Sequence, residues 1–392
     1  AMTGLFYVPA AGMTPPTVPS NPTRAELAAA VALLDECIGD FPYCDEASRA
    51  NAFALLLTPI LRPAIVGNTP LALIDKPQAG TGASLLAEAV SILATGRQAA
   101  MMTAPRDDEE WRKKITAALL EGATVITIDN LETTLQSASL AAALTSSTWK
   151  DRMLGQSATV VLPQRATWLA TGNNVKLGGD MPRRCYWIRL DAQTARPWRR
   201  QDFRHPGLID WVIENRGALL GALLTVARAW YAAGRPLVQG QPSLGSFDDW
   251  ARTMGGVLAH AGITGFLGNL DALYERVDEE GQAWLRFFAA WWDVIGEAEI
   301  STAELGARLR AGTVTPCIDP GDAALFEALP DFLIEVLTDP KRGASFSRML
   351  GKALAKRTDV TFDDDGLRLE KRQDTNKKTQ KWRLVRAKRK SK

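Results

Sequence analysis

The sequence predicts an α/β fold, in which helices cover a buried, mostly parallel sheet. Three segments predict it, because each is an apolar, strand-like run that ends in glycines or polar residues. They are residues 73–90, 123–132 and 166–174. Uninterrupted runs of apolar, β-forming residues are typical of parallel strands that are buried on both faces.

The first segment, LIDKPQAGTGASLLAEAV, predicts a strand, a glycine-rich turn and a helix. This order is typical of a loop that binds phosphate. Gly80 and Gly82 allow backbone N–H groups to point at phosphate oxygens, and the helix from Ser84 directs the positive end of its dipole to the same place. The candidate nucleotide-binding residues are Gly80, Thr81, Gly82, Ala83, Ser84 and Leu85.

The turn departs from the P-loop pattern at one residue. That pattern ends in Gly-Lys-Ser/Thr, whereas this chain has Gly82-Ala83-Ser84. Nucleotide binding is therefore predicted, but hydrolysis does not follow from the motif, because the lysine that neutralises the β- and γ-phosphates is missing. Lys76, at the end of the preceding strand, is the nearest candidate to replace it.

The second segment, ATVITIDNLE, is predicted to be a buried strand that delivers a carboxylate to its end, as a Walker B strand does. Asp129 is expected to hold Mg²⁺ through water, and Ser84 is the other candidate metal ligand. Asn130 stands where many ATPases carry a catalytic glutamate that activates the attacking water. An ordinary Asp-Asn turn after a strand is the alternative.

The third segment, ATWLATGNN, ends in two amides, Asn173 and Asn174. An amide at this place can orient the attacking water or contact the γ-phosphate. About ten residues later, GGDMPRR places Arg183 and Arg184 directly before another apolar strand. Both arginines are candidate catalytic residues, with a solvated pair at the start of a strand as the alternative.

This ordered series resembles an AAA+ ATPase, and more narrowly the helicase-like domains of phage, plasmid and integrative-element replication proteins. The similarity runs from about residue 48 to residue 269 and is weaker beyond. It is carried by the segments DKPQAGTGASLLAE, VITIDNLE, LTSSTWKDRMLGQS, TWLATGNN, GDMPRRCYWIRLD, FRHPGLIDWVIENRGALL and SLGSFDDWARTMGGVLAHAGITGFLGN. The series is specific, although no single motif is.

The resemblance implies a three-layer αβα P-loop core, whose mostly parallel sheet has five strands and carries helices on both faces. Such a core would bind ATP and Mg²⁺, in a hexameric homo-oligomer that acts as a DNA helicase or translocase. It also implies that Arg183 or Arg184 reaches the neighbouring subunit's nucleotide and stabilises charge in the transition state. A primase or polymerase partner is a further expectation. The alternative is a weakly hydrolysing replication initiator or loader, whose nucleotide stabilises a ring on DNA. The third hypothesis is a P-loop scaffold that forms no ring and binds neither DNA nor nucleotide well.

The C-terminal part of the chain is predicted to be a winged helix. SFSRMLGKALAKR has apolar residues at helical spacing. After it, residues 360–362 or 367–371 are predicted to pair with residues 382–386 as a hairpin whose connecting loop is basic.

Charge at this end of the chain favours DNA as a partner. Residues 371–392 carry eleven Lys and Arg against one acidic residue, and such a run attracts the phosphate backbone. DNA contact is predicted for Arg348, Lys352, Lys356, Lys377 and Lys378. Packing between subunits is the alternative use of this winged helix, and a solvated basic terminus is the alternative for the run.

Residues 145–163 carry Lys150 and Arg152 beside Trp149, ahead of a strand. The preferred interpretation is a contact between subunits, with Arg152 facing the neighbour's nucleotide. The second is a pore loop that binds DNA through phosphate contact and stacking, for which both basic residues are candidates. Structural packing alone is the remaining alternative.

Length and composition suit a multidomain protein, since 392 residues with 46% apolar residues can bury large cores. The predicted division is a linker (1–23), N-terminal helices (24–66), the ATPase core (67–206), a helical segment (207–295) and the winged-helix domain (296–392). Four cysteines outside any CxxC pattern and two histidines argue against zinc or a disulfide framework. No apolar run approaches the roughly 20 residues that span a bilayer, so a cytoplasmic protein without a membrane partner is expected.

Overall fold

In the computed structural model the chain divides into two compact units, Ala1–Val277 and Asp278–Lys392. The structure describes residues 16–153, 158–240, 242–277, 279–314, 319–339, 342–358, 360–363, 365–373 and 380–386. Within these ranges, no helix combines the length and the apolar character that crossing a membrane requires. The finer division into five segments stays a prediction.

Helices and strands alternate along most of the first unit. Its helices are α1 (Arg24–Ile38), α2 (Glu46–Leu61), α3 (Ala83–Thr95), α4 (Asp108–Leu120), α5 (Ala138–Thr145), α6 (Leu208–Ala232), α7 (Asp248–His260) and α8 (Leu270–Val277). Its strands are β1 (Leu71–Lys76), β2 (Met101–Thr103), β3 (Val125–Leu131), β4 (Thr148–Arg152), β5 (Thr159–Pro163), β6 (Thr167–Asn173) and β7 (Cys185–Arg189).

Five of these strands form one sheet in the order β2-β3-β6-β1-β7. Every neighbouring pair is parallel, so the sheet is wholly rather than mostly parallel. Strand β1 is buried along its whole length and β6 along all but its last residue, which agrees with their apolar sequences. Because all five strands run the same way, their carboxyl ends lie at one edge of the sheet, where α/β proteins bind ligands.

Helices flank this sheet, an arrangement compatible with the predicted three-layer core. Helix α3 packs against β1, β3 and β6, and α2 packs against β7. Leu86, Val90 and Leu93 of α3 are among the buried residues that join the helix to the sheet's core. Burying one such side chain contributes about 1.5–3 kcal/mol, so this packing fixes the helix firmly beside β1.

Strands β4 and β5 form a separate antiparallel hairpin that is fixed to α4. The Trp149 indole is buried and donates a hydrogen bond to Thr116 Oγ1 over 2.8 Å. The Thr116 hydroxyl in turn donates to Asp151, which also pairs with Arg112 at 3.3 Å. The residues that connect the two strands, 154–157, lie outside the described ranges.

The second unit combines helices with a small antiparallel sheet. Its elements are α9 (Glu279–Ile295), β8 (Ile300–Ser301), α10 (Thr302–Gly312), α11 (Pro320–Glu327), α12 (Asp331–Thr338), α13 (Phe346–Ala355), β9 (Leu367–Gln373) and β10 (Gln380–Arg386). The sheet order is β8-β10-β9.

The core of the second unit is aromatic. Trp284, Phe287, Phe288 and Trp291 of α9 are fully buried, and so is Trp382 of β10. Of the two predicted hairpins, the one between 367–371 and 382–386 is confirmed, because β9 and β10 pair over their whole length.

Candidate functional site

The predicted phosphate-binding turn joins β1 to α3 at the carboxyl edge of the sheet. Gly80 and Gly82 have φ angles of +83° and +97°, which only glycine adopts without strain. Both sites are also crowded, since a Cβ at Gly82 would lie 3.0 Å from the Phe41 ring and one at Gly80 would lie 3.2 Å from Trp198. Helix α3 begins directly after this turn, so its first backbone N–H groups face the same edge.

Ala83 is the first residue of α3 and is buried, with 1% of its surface exposed. The helix start therefore offers backbone N–H groups but no side-chain cation. The hydroxyl of Thr81 donates to the carbonyl of Gln78, so its proton is used within the turn.

Lys76, the proposed substitute for the missing lysine, ends β1 and is only 7% exposed. Burial lowers the pKa of its ammonium group, and attraction by Asp129 and Asp75 opposes that shift. Among the described residues, the ammonium group has no hydrogen-bond or ion-pair partner. A buried, unpaired lysine is costly unless a ligand completes its environment, and a phosphate group is a suitable one.

Ser84 and Asp129, the two candidate metal ligands, are brought together. The Ser84 hydroxyl donates to Asp129 Oδ1 over 2.8 Å, and the Thr171 hydroxyl of β6 donates to the same oxygen over 2.6 Å. This cluster of hard oxygen atoms fits Mg²⁺, which in proteins is commonly held by one or two side chains, water and phosphate oxygens. Thr171 was not predicted, although it lies two residues before the predicted Asn173.

The side-chain amide of Asn130 is already hydrogen-bonded within the protein. Its side chain donates to Glu132 Oε1 over 3.1 Å, and its backbone N–H donates to Thr171 Oγ1 over 3.0 Å. Its φ of +54° places a bend in β3 at this residue. Glu132 is exposed and follows Asp129 and Asn130 in the sequence, but no sequence motif identifies it as a site residue. Its carboxylate accepts the hydrogen bond from the Asn130 amide.

The two neighbouring amides at the end of β6 have different surroundings. Asn173 lies opposite Lys76 in the β1–β6 register, and its exposed side chain has no partner among the described residues. Asn174 has a φ of +46°, and its N–H donates to the carbonyl of Lys76 over 2.8 Å. Its side-chain oxygen accepts from Arg189 at 2.9 Å and from Arg276 at 2.7 Å. Asn173 is therefore the amide available to a ligand.

The arginines that hold Asn174 share a buried carboxylate. Asp75 is 1% exposed, pairs closely with Arg189 and lies 3.8 Å from the Arg276 guanidinium. Both guanidinium groups lie over the ring of Trp187, at 5.6 and 5.5 Å. Sequence reasoning missed this cluster, because Arg276 comes from α8, far along the chain from β1 and β7.

The two arginines before β7 also differ in exposure and in hydrogen-bond partners. Arg184 is 13% exposed and is held by the carbonyl of Ala141, by Thr145 Oγ1 at 2.7 Å and by Asp180 at 2.9 Å. Arg183 is 67% exposed and contacts Asp180 through an ion pair of 2.7 Å. Only Arg183 can extend to a neighbouring molecule without breaking buried contacts.

A cavity of about 110 Å³ lies beside the phosphate-binding turn. Its wall includes Gly80, Thr81 and Leu85, together with Phe41 and Phe203. An apolar cleft with a few polar groups at its rim is typical of ligand sites. The sequence analysis assigned no role to Phe41, because this residue belongs to no recognised motif.

The basic residues predicted to contact DNA are exposed wherever the structure describes them. They are Lys150 and Arg152 on β4 and Arg348, Lys352 and Lys356 on or next to α13. Helix α13 buries Phe346, Leu350 and Leu354, so its cations lie on the opposite face. Lys377 and Lys378 lie outside the described residues. The buried Trp149 indole is not available for stacking on a base.

Comparisons with known proteins give little support beyond this geometry. No family model and no curated protein matches the chain. Two similar solved structures are both described as the A form apo structure of the NrS-1 C-terminal region, one of them as residues 305–718. They are 12% and 14% identical, cover 97% and 95% of this chain and 79% and 77% of their own, and each has a TM-score of 0.44. Scores this low do not establish a shared fold.

Proposed function

We propose that the first unit binds ATP with Mg²⁺ and hydrolyses it, as an AAA+ motor that forms a ring and moves DNA. One observation carries the proposal: the turn at Gly80–Ser84, the Ser84–Asp129 pair and the free Asn173 side chain meet at one edge of a parallel sheet. A phosphate-binding helix start beside a carboxylate and an amide is the set of groups that phosphoryl transfer needs.

In this proposal each residue has a distinct role. Backbone N–H groups of the turn and the ammonium group of Lys76 bind phosphate oxygens, and Ser84 and Asp129 hold Mg²⁺. The metal would supply Lewis-acid stabilisation of the developing phosphate charge. Asn173 orients the attacking water, and Glu132 accepts its proton. Asn174 keeps Asn173 and the end of β1 in register, since it is bonded to Lys76 and to two arginines.

The proposed ring depends on Arg183. Its exposed guanidinium would reach the nucleotide of the next subunit, while Arg184 holds α5 in place. Hexamer formation belongs to the proposal, as do a primase or polymerase partner and a location in the cytoplasm. DNA contact is proposed for Lys150 and Arg152 in the first unit, whose place on the hairpin also suits a contact between subunits.

The second unit is proposed to be a winged-helix domain. Helix α13 exposes Arg348, Lys352 and Lys356 on the face away from the unit's core, where they can contact the phosphate backbone of DNA. Lys377 and Lys378, in the loop between β9 and β10, would be further phosphate contacts.

A second function is favoured by Ala83. With no cation at the start of α3, the protein would bind ATP tightly enough to stabilise a ring but hydrolyse it slowly, as a replication initiator or loader does. Both functions require ATP binding, and they differ in the rate of ATP hydrolysis.

The deciding experiment measures ATP hydrolysis with and without single-stranded DNA for the unchanged protein, Lys76→Ala, Asp129→Ala and Ala83→Lys. We expect DNA-stimulated turnover that both alanine variants abolish. Lys113→Ala, at an exposed lysine of α4, is the control and should be fully active. Binding without turnover, until Ala83→Lys restores it, would establish the second function instead. Absence of ATP binding in the unchanged protein would contradict both.

A further inference from the structure

The segment that follows β7, residues 191–204, is packed onto the phosphate-binding turn. The side chain of Gln78, within the turn, donates to the carbonyl of Thr194 over 2.5 Å. Trp198 packs closely on Gly80, since a Cβ at that glycine would lie 3.2 Å from the Trp198 side chain and backbone. The segment is therefore held against the turn at two points.

The same segment is anchored on its other side to the loop after α1. The Arg200 guanidinium donates to the carbonyl of Asp40 over 3.1 Å. The backbone N–H of Arg204 donates to the carboxylate of Asp40 over 2.6 Å. Loops fixed by several backbone contacts hold their side chains in place more firmly than free loops do.

This anchored segment presents unpaired positive charge. An open cavity of about 520 Å³ is formed by Ala192, Thr194, Ala195, Arg196, Arg199 and Arg200. Its wall contains three arginines and no acidic residue. Within the part of the chain that the structure describes, the guanidinium groups of Arg196 and Arg199 have no hydrogen-bond or ion-pair partner, and both residues are exposed.

Arg200 connects this cavity to the one beside the turn, because it lines both. A nucleotide with its base in the smaller cavity, against Phe41 and Gly80, would therefore extend its phosphates along the turn with the arginines close by. Lys76 approaches the same turn from β1, but its burial lowers its pKa. Arginine stays charged in any surroundings and binds phosphate through two parallel hydrogen bonds.

We propose that Arg196 and Arg199 bind the phosphates of the nucleotide from the same subunit and supply the positive charge that Ala83 does not. This inference rests on the proposed nucleotide site and names the residues that compensate for its missing lysine. The ligand class is a nucleoside di- or triphosphate. The phosphodiester backbone of single-stranded DNA offers the same chemistry and has to be separated by experiment.

The test compares Arg196→Ala/Arg199→Ala with Arg97→Ala/Arg165→Ala in the 392-residue chain. Both double variants lose two exposed arginines, so their net charge is equal. Arg97 follows the far end of α3, and Arg165 precedes β6 at the opposite edge of the sheet. Titrations use ATP, ADP, adenosine and single-stranded DNA, and circular dichroism confirms that each variant is folded.

The first double variant should bind ATP at least about tenfold more weakly, because it loses charge-assisted hydrogen bonds. Its affinity for adenosine should be unchanged, since adenosine has no phosphate, and the control variant should bind ATP normally. Adding Ala83→Lys to this double variant should restore part of its lost ATP affinity, because the new lysine replaces part of the missing positive charge.

Three results would overturn the proposal in distinguishable ways. Equal ATP affinity in the two double variants would show that the arginines do not bind the nucleotide. Weaker DNA binding with unchanged ATP affinity would assign the cavity to a polynucleotide. If the unchanged protein binds neither ATP nor ADP, the proposed nucleotide site fails, and this inference fails with it.

Discussion

Replacing Asp75 by asparagine tests whether the buried ion pair beside the turn between β1 and α3 stabilises the first unit. Asp75 Oδ1 accepts the backbone N–H of Val175 over 3.0 Å, and Oδ2 accepts the Trp187 indole over 3.3 Å and the Arg189 guanidinium. Asparagine has the same shape, but it removes the negative charge and turns an NH₂ group toward existing donors. Arg189 is then left without a counter-charge.

The size of the effect follows from burial. Asp75 and Arg189 have side-chain exposures of 1% and 13%, so solvent screens the pair little. Removing one partner of such a pair costs about 3–5 kcal/mol, because the remaining charge stays buried and unpaired. Arg276 is 32% exposed and 3.8 Å away, so its share is small. For a unit of this size the loss corresponds to a fall in melting temperature of roughly 6–20 °C.

Thermal unfolding followed by near-ultraviolet circular dichroism measures this change, because Trp187 is part of the cluster and reports on its packing. Glu109→Gln is the matched control, since it removes the charge of an exposed glutamate paired with Lys113. The control should leave the transition unchanged. Should Asp75→Asn unfold at the same temperature as the control, the ion pair does not stabilise the unit and the reasoning is refuted.

Four further predictions concern residues at the edge of the sheet. Lys76→Met should raise stability at neutral pH in urea unfolding, since burial penalises the ammonium; the gain should shrink as pH rises through the lowered pKa, where the lysine loses its charge. Gly82→Ala should abolish ATP binding in titrations, because of its φ and the Phe41 ring, whereas Gly122→Ala, with a φ of +70° in open space, should cost about 1 kcal/mol of stability and leave binding intact. Asn173→Ala should lower ATP turnover about a hundredfold at unchanged melting temperature. Asn174→Ala should lower the melting temperature, because two guanidinium groups lose their acceptor.

The sheet and the Ser84–Asp129 pair could be predicted because each depends on local sequence. Apolar runs identify the strands, and the polar residue after each run identifies the strand's carboxyl end. Once the strands are parallel, those ends meet at one edge, so residues 45 positions apart come within hydrogen-bonding distance. The turn glycines could be predicted as well, because glycine adopts a positive φ more readily than any other residue.

The sequence does not show which of two neighbouring candidate residues has a side chain that is available to a ligand. Asn173 and Asn174 have the same side chain, and the difference lies in their partners, because Arg276 reaches Asn174 from 102 residues away. Arg183 and Arg184 differ in the same manner, since Ala141 and Thr145 bind only the second. These differences depend on side-chain direction and on contacts with residues far along the chain. Neither produces a recognisable pattern in the local sequence.

At this edge of the sheet, positive charge lies at the end of β1 rather than at the start of α3. Lys76, Arg189 and Arg276 face Asp75 and Asp129, so the groups around the end of β1 carry one more positive than negative charge. In the usual P-loop the compensating cation stands at the start of the helix, which here is Ala83. A ligand with several negative charges would therefore be bound from the strand end on one side and from residues 191–204 on the other. If the proposed nucleotide site is correct, Ala83→Lys should strengthen ATP binding only modestly, because the other cations around the turn already face the phosphates.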